Sequence, residues 1–259
     1  METILFERDS ELPGLVTVTL NRPEKLNAIS QKMHRELQEV CTGLRDDFEA
    51  RVVILTGAGR AFSAGADLGG ATRSAVATVP SPATANVLQE RANATIGNRT
   101  AAALEGVPQV TIAAINGLAV RGAVVFLVCT DIRLASESAW FSIPEVDLDI
   151  PMTWNSLPRF MREIGPARTK ELVMTCDRFS AEDALRWGLL NHVVPDGNLL
   201  PRARELAAKL LAKDPMSLAM TKSTTAALAQ AMVPTTVTHS DADYLVFARL
   251  LREERARRG

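Results

Sequence analysis

An α/β fold is expected from three features of this chain. Short apolar runs with strand character recur between stretches of helical periodicity. Glycine-rich turns follow two of those runs, and beyond Pro151 the character becomes mostly helical.

Leu15–Leu20 (LVTVTL) alternates apolar residues with Thr, as a half-buried strand does, and Asn21-Arg22-Pro23 breaks it. Ser30 is an N-cap for a helix whose Met33, Leu37, Val40, Cys41, Leu44 and Phe48 follow helical spacing. Arg51–Thr56 is a short β-rich run closed by Gly57–Gly59. The segment 70–84 is rich in Ala, Thr, Ser and Pro without a period, and reads as a flap over a pocket or a poorly ordered loop. A helix is expected over 85–104, a strand over Val110–Ile115, an apolar helix over 122–129 and a further strand from Asp131. Past Pro151, helices are expected over 157–165, 167–176, 181–188, 199–213, 216–228 and 236–258, with one short strand at His192–Val194. The division is an α/β core over 1–195 and a C-terminal helical region over 196–259.

Composition narrows the function classes. The chain has 259 residues, 47% apolar and 23% charged, enough for a sizeable core. A net charge of −1 gives no electrostatic reason to expect nucleic acid. The three cysteines form no CxxC and do not cluster with the three histidines, so no metal is expected; free thiols buried in a reducing cytosol are the plainer reading. Met1–Ser10 lacks a signal-peptide core. The most hydrophobic region, 107–135, is broken by Pro108, Gln109, Asn116, Gly117, Arg121 and Gly122, short of the ~20 apolar residues of a span. A cytoplasmic protein without membrane or nucleic-acid partners is expected.

Ala61–Gly69 (AFSAGADLG) and Asn116–Ala123 (NGLAVRGA) follow two of the strand-like runs. Small residues there let the main chain approach a ligand and leave N–H groups free to point at it. Two donors converging on one oxygen form an oxyanion hole, which stabilises an enolate or a tetrahedral intermediate. An isolated acid, Glu145, follows the pair.

Asn21-Arg22-Pro23 with Asn27-Ala28, Ala61–Leu68, Asn116-Gly117, Cys129-Thr130-Asp131, Pro144-Glu145, Arg159–Leu172 and Ala184–Val194 stand in an order and spacing specific as a set. With them the chain resembles the crotonase (enoyl-CoA hydratase/isomerase) superfamily along nearly its whole length. The resemblance implies a crotonase-like spiral of repeated β-β-α units with a C-terminal helical trimerisation region, hence a homotrimer or dimer of trimers. It implies an acyl-CoA thioester substrate and no separate cofactor, coenzyme A being part of the substrate. By position, the oxyanion donors would be the N–H groups of Ala66 and Gly122. The CoA thioester would lie along Lys25, Leu26, Ala28, Ala64, Ala66, Asp67, Leu68, Gly69 and Gly122. Glu145 would be the catalytic acid/base. Gly122 also opens an apolar helix, whose free N–H groups favour negative charge.

Hydratases of this family use two glutamates, one three residues after the oxyanion-hole glycine. Here that position is Val125, which accepts no proton, and only Glu145 remains. A lone Glu beside an oxyanion hole suffices to remove a proton α to a thioester carbonyl and return it elsewhere. Most glutamates are merely exposed; the place after Pro144, matched to the family motif, favours catalysis for this one. If the following segment is extended, Asp147 shares the face of Glu145 and flanks the same cavity; solvated loop acids are the plainer reading for Asp147 and Asp149. Asp67 is expected to brace its loop. Arg121 folds outward to solvent or holds a carboxylate or a CoA phosphate, the outward reading being the plainer. Trp154, in Met152-Thr153-Trp154-Asn155, narrows an acyl pocket or anchors the helix that follows. Arg249, Arg252, Arg255, Arg257 and Arg258 read as a solvated helix face before a phosphate site. The function expected is an acyl-CoA enzyme of the hydratase/isomerase type. The rivals are a non-catalytic acyl-CoA binder that lost the reaction through Val125, and a decarboxylase or hydrolase of the same family.

Overall fold

The structure, a computed structural model, describes residues 1–67 and 86–238, with Asp241, Asp243 and Val246 beyond them. The expected flap over 70–84 and the C-terminal arginines lie outside the described residues.

Strand β1 (Ile4–Arg8) runs antiparallel to β2 (Leu15–Leu20), with Phe6 opposite Val18. Helix α1 (Gln31–Arg45) starts where the Ser30 hydroxyl accepts from the Met33 N–H, the cap that the sequence proposes. Its buried Met33, Leu37, Val40, Cys41 and Leu44 lie on one face. The helix ends at Arg45, so Phe48 falls beyond it and is 90% exposed rather than part of that apolar face.

Strand β3 (Val52–Gly57) turns into short β4 (Ala61–Ser63). Helices α2 (Val87–Ala94) and α3 (Ile96–Glu105) meet at Thr95, so the single helix expected over 85–104 is two. β5 (Val110–Ile115) turns into β6 (Leu118–Val120), which leads to the short buried helix α4 (Gly122–Leu127). β7 (Ile132–Ser136) turns into β8 (Trp140–Ser142), followed by a 3-10 turn at Val146–Leu148 and by α5 (Ser156–Thr175). In α5, Gly165 at φ 72 and Pro166 interrupt the helical backbone where the sequence separates two helices. The remaining elements are β9 (Phe179–Ser180), α6 (Ala181–Arg186), β10 (His192–Val194), α7 (Leu199–Leu211) and α8 (Pro215–Met232).

Three times, then, a long strand is followed by a short strand. The long strands, with β1, β2 and the three-residue β10, join one sheet of order β1-β2-β3-β5-β7-β10, parallel from β2 onward. The short ones form a second sheet of order β4-β6-β8-β9. Alternation along the long strands sends side chains to two cores, because successive residues face opposite sides. Val53, Leu55, Ala113 and Ile115 join α1 and α4 in the larger core. Val52, Ile54, Ile112 and Ala114 pack with Leu199, Ala203 and Ala207 of α7.

α8 has no buried residue, and its Met216, Met220, Leu228 and Met232 are exposed. Lys222 fastens it to the body, its Nζ donating to Gln109 O and Asp131 Oδ2, both at 2.7 Å. The three cysteines are free and buried, and burial pushes the Cys41 and Cys129 thiols up to about 12. Among the described residues no helix is long and apolar enough to cross a membrane, and no group of three His, Cys, Asp or Glu could hold a metal ion.

Candidate active site

The turn after β4 and the turn after β6 are adjacent because β4 and β6 pair in parallel, with Ser63 beside Ala119. Gly65, buried and at φ 78, faces the second turn: a Cβ there would lie 2.5 Å from Arg121 Cβ and 3.1 Å from Gly122 N, and would overlap the Val120 carbonyl oxygen. Only glycine permits that approach.

The loop Lys25–Ile29 lies against the first turn. Leu26 and Asn27 are both in left-handed backbone, at φ 49 and 55. The Asn27 side chain, fully buried, stabilises this shape: it accepts from Arg22 N and donates to Ala58 O and Ala61 O. Ala64 N donates to Leu26 O at 2.9 Å, and Ile29 N donates to Gly65 O at 2.8 Å. Ile29 and Ala66 thus form an isolated parallel bridge, completed by Asp67 N donating to Ile29 O at 3.0 Å. Neither bond of the bridge uses the Ala66 N–H. Asp67 pairs with Arg22 Nη1 at 2.8 Å, and the same nitrogen donates to Ala28 O at 2.6 Å, tying both loops together.

On the other side, Gly122 is the first residue of α4, where an N–H has no intrahelical acceptor. Arg121 precedes it at φ 57, ψ −131, strained for a residue with a side chain, and its N–H donates to Ser142 O at 3.0 Å. That bond ties the turn to β8, three residues before Glu145.

Glu145 is 8% exposed. Its Oε2 is buried with no hydrogen-bond partner among the described residues. Burial raises its pKa from 4.5 to about 7, against the opposing pull of its own backbone N–H and of Arg121. An acid held near neutrality can take up and release a proton at physiological pH. Arg121 is half-buried, and its Nε is enclosed without a hydrogen-bond partner among the described residues.

The segment after Glu145 is a 3-10 turn, not extended, so the expected alternation fails, and Asp147 and Asp149 are exposed. The backbone curls because Leu148 N and Ile150 N both donate to Glu145 O, at 2.9 and 3.2 Å. Trp154 packs edge-on to His34 at 4.9 Å and stacks on Phe126 at 5.8 Å. Val125 is buried, 2% exposed.

Of the residues expected to line the thioester site, Leu26, Ala28, Ala64 and Ala66 are half-buried along the two paired loops, while Lys25 and Asp67 are exposed beside them. Leu68 and Gly69 lie outside the described residues. Gly65 and Asn27 are site residues that the sequence does not single out, although both stand in the quoted motifs. A glycine between two alanines, and an Asn after a Pro-containing turn, are weak signals until the loops are seen to touch.

A family model for enoyl-CoA hydratase/isomerase matches residues 11–259. The chain belongs to this family. It is 32% identical over 223 residues to the short-chain-enoyl-CoA hydratase of Clostridium acetobutylicum, covering 86% of this chain and 80% of that one. To the carnitinyl-CoA dehydratase of Escherichia coli K12 it is 36% identical over 213 residues, covering 81% of this chain and 76% of that one. A crystal structure of enoyl-CoA hydratase from Bacillus anthracis superposes with a TM-score of 0.77 at 31% identity, covering 96% of this chain and 91% of that one. The two sheets with their helices are the crotonase fold. This enoyl-CoA hydratase/isomerase family member is accordingly an enzyme of the hydro-lyase or double-bond isomerase type.

Proposed function

We propose that this enzyme holds the carbonyl oxygen of an acyl-CoA thioester between the Ala66 and Gly122 N–H groups while Glu145 transfers the adjacent proton. The observation that carries this reading is the Glu145 carboxyl, enclosed, lacking a partner on Oε2 and raised to about 7, in the segment tied to the Gly122 turn. As Glu145 removes the C2 proton, the C–H electron pair moves toward the carbonyl and negative charge gathers on its oxygen. Two fixed amides there lower the barrier by about 3 kcal/mol each. Glu145 then returns the proton to carbon, at C4 for double-bond isomerisation. Lys25, Leu26, Ala28, Ala64 and Asp67 would flank the CoA portion.

Val125 favours isomerisation over hydration, since water addition at C3 needs a second group to hold the water. The same substitution supports a second reading, an acyl-CoA binder without turnover. Assay of 2-enoyl- and 3-enoyl-CoA thioesters with product analysis separates the two. Glu145→Gln keeps the shape and removes the base, so turnover falls about 100- to 10,000-fold while acyl-CoA binding persists. Turnover at the wild-type rate in Glu145→Gln would end the assignment. The exposed methionines of α8 fit burial between copies in a homotrimer or dimer of trimers, and the proposed setting is cytoplasmic.

A further inference from the structure

Trp154 stands against Gly122 itself. A Cβ on Gly122 would overlap Cζ3 and Cη2 of its six-membered ring and reach Cε3 at 2.9 Å. A Cβ on Gly97, in α3, would overlap the other side of the indole at Cε2, Nε1 and Cδ1. The ring therefore spans the gap between α3 and α4, one edge resting on each glycine. Neither position tolerates a side chain while the indole is there.

The indole is also fixed in place. Its backbone is left-handed at φ 64, and Arg159 Nη1 donates to Trp154 O at 3.1 Å and to Asn155 O at 2.9 Å. Phe126 stacks against it at 27° between planes, and His34 meets it at 78°. A ring packed on four sides and pinned through its main chain is a wall, since close-packed interiors do not deform continuously.

From this placement we infer that Trp154 sets the length of the acyl group, confining the enzyme to short-chain acyl-CoA thioesters. The inference rests on the proposed use of the Gly122 amide. With the thioester oxygen at that N–H, the acyl carbons start beside the Gly122 Cα, where the indole fills the volume a growing chain would enter. Short acyl groups end before the wall and longer ones meet it.

Unreactive saturated thioesters test this without requiring turnover. Dissociation constants of butanoyl-, hexanoyl-, octanoyl- and decanoyl-CoA are measured by calorimetry for wild type, Trp154→Phe and Trp154→Leu, with folding checked by circular dichroism. Each buried methylene strengthens binding roughly four-fold where there is room. Wild type is expected to gain nothing beyond hexanoyl-CoA. Trp154→Leu gains about ten-fold or more from hexanoyl- to octanoyl-CoA, with butanoyl-CoA little changed. Trp154→Phe falls between and carries the test alone if the Leu variant fails to fold. An unchanged chain-length profile in a folded variant, or wild type that already binds decanoyl-CoA best, overturns the wall. Absence of binding by every thioester overturns the wall and the thioester site together, which distinguishes the two failures.

Discussion

Gly65 meets the amide nitrogen of Gly122 so closely that a methyl group on the first would lie 3.1 Å from the second. Two turns from separate β-β units are held in contact through a glycine with no side chain to interpose. The paired short strands set this contact, and the Asn27 and Arg22 hydrogen bonds stiffen one side of it.

Gly65→Ala should separate those turns. The methyl group overpacks against Arg121 and Val120, and φ 78 is unfavourable for alanine, a combined loss of about 2–4 kcal/mol in urea unfolding. Turnover falls further than the residual folded fraction accounts for, because the two proposed amides no longer share an oxygen. Wild-type stability and turnover in this variant would contradict the contact.

Glu145 makes the folded state pH-dependent in a definite direction. Its pKa is 4.5 in the unfolded chain and about 7 when folded. Between those values the native state retains a proton that the unfolded state has released, so stability declines as pH rises through the window and levels above it. The decline is at most about 3 kcal/mol. Glu145→Gln has no charge to bury, so it melts above wild type at pH 8 and with it at pH 4.5. As the base, Glu145 also gives kcat/KM a rising limb near pH 7.

His34 acts oppositely. Burial first, and Arg99 second, lower it from 6.5 to about 4, and its Nδ1 lies 2.9 Å from Thr100 Oγ1. The unfolded chain binds the extra proton, so stability rises with pH from about 4 to 6.5, by up to about 3 kcal/mol. Over pH 4.5–6.5 the two effects offset each other. Denaturant unfolding of His34→Gln should therefore show the bare decline from Glu145, steeper than wild type. An unaltered slope would place a neutralising partner beside His34.

Arg159 is fully buried and its charge is met by Glu105 Oε2 at 2.6 Å, while Arg162 takes Glu105 Oε1 at 3.1 Å. Glu105→Gln leaves an enclosed guanidinium without a counter-charge and costs about 3 kcal/mol in chemical denaturation. Because Arg159 also holds the Trp154 carbonyl, near-ultraviolet circular dichroism from the indole should change in the same variant.

Much of this architecture was legible in the chain. Ser30 and the Met33–Leu44 spacing located α1, and Val110–Ile115 coincides with β5, because local capping and long apolar runs need no tertiary information. The three-residue strands β4, β6 and β8 carry no strand signal of their own, since their hydrogen bonds exist only once the second sheet is assembled. Phe48 fits helical spacing yet lies exposed beyond Arg45, as periodicity does not fix where a helix stops. At the site, Glu145 and Gly122 stand out by motif. The curled backbone at Asp147 and the glycine cradle of Trp154 depend on neighbours distant in sequence, and no local pattern encodes them.

The cysteines have a practical consequence. All three are enclosed, and the thiols of Cys41 and Cys129 stay protonated far above neutral pH. Maleimide and iodoacetamide reagents, which require an accessible thiolate, should leave the native protein unmodified. A single cysteine introduced on an exposed surface would then carry a fluorophore or spin label without stripping out the native sulfhydryls, giving direct spectroscopic access to ligand-induced motion.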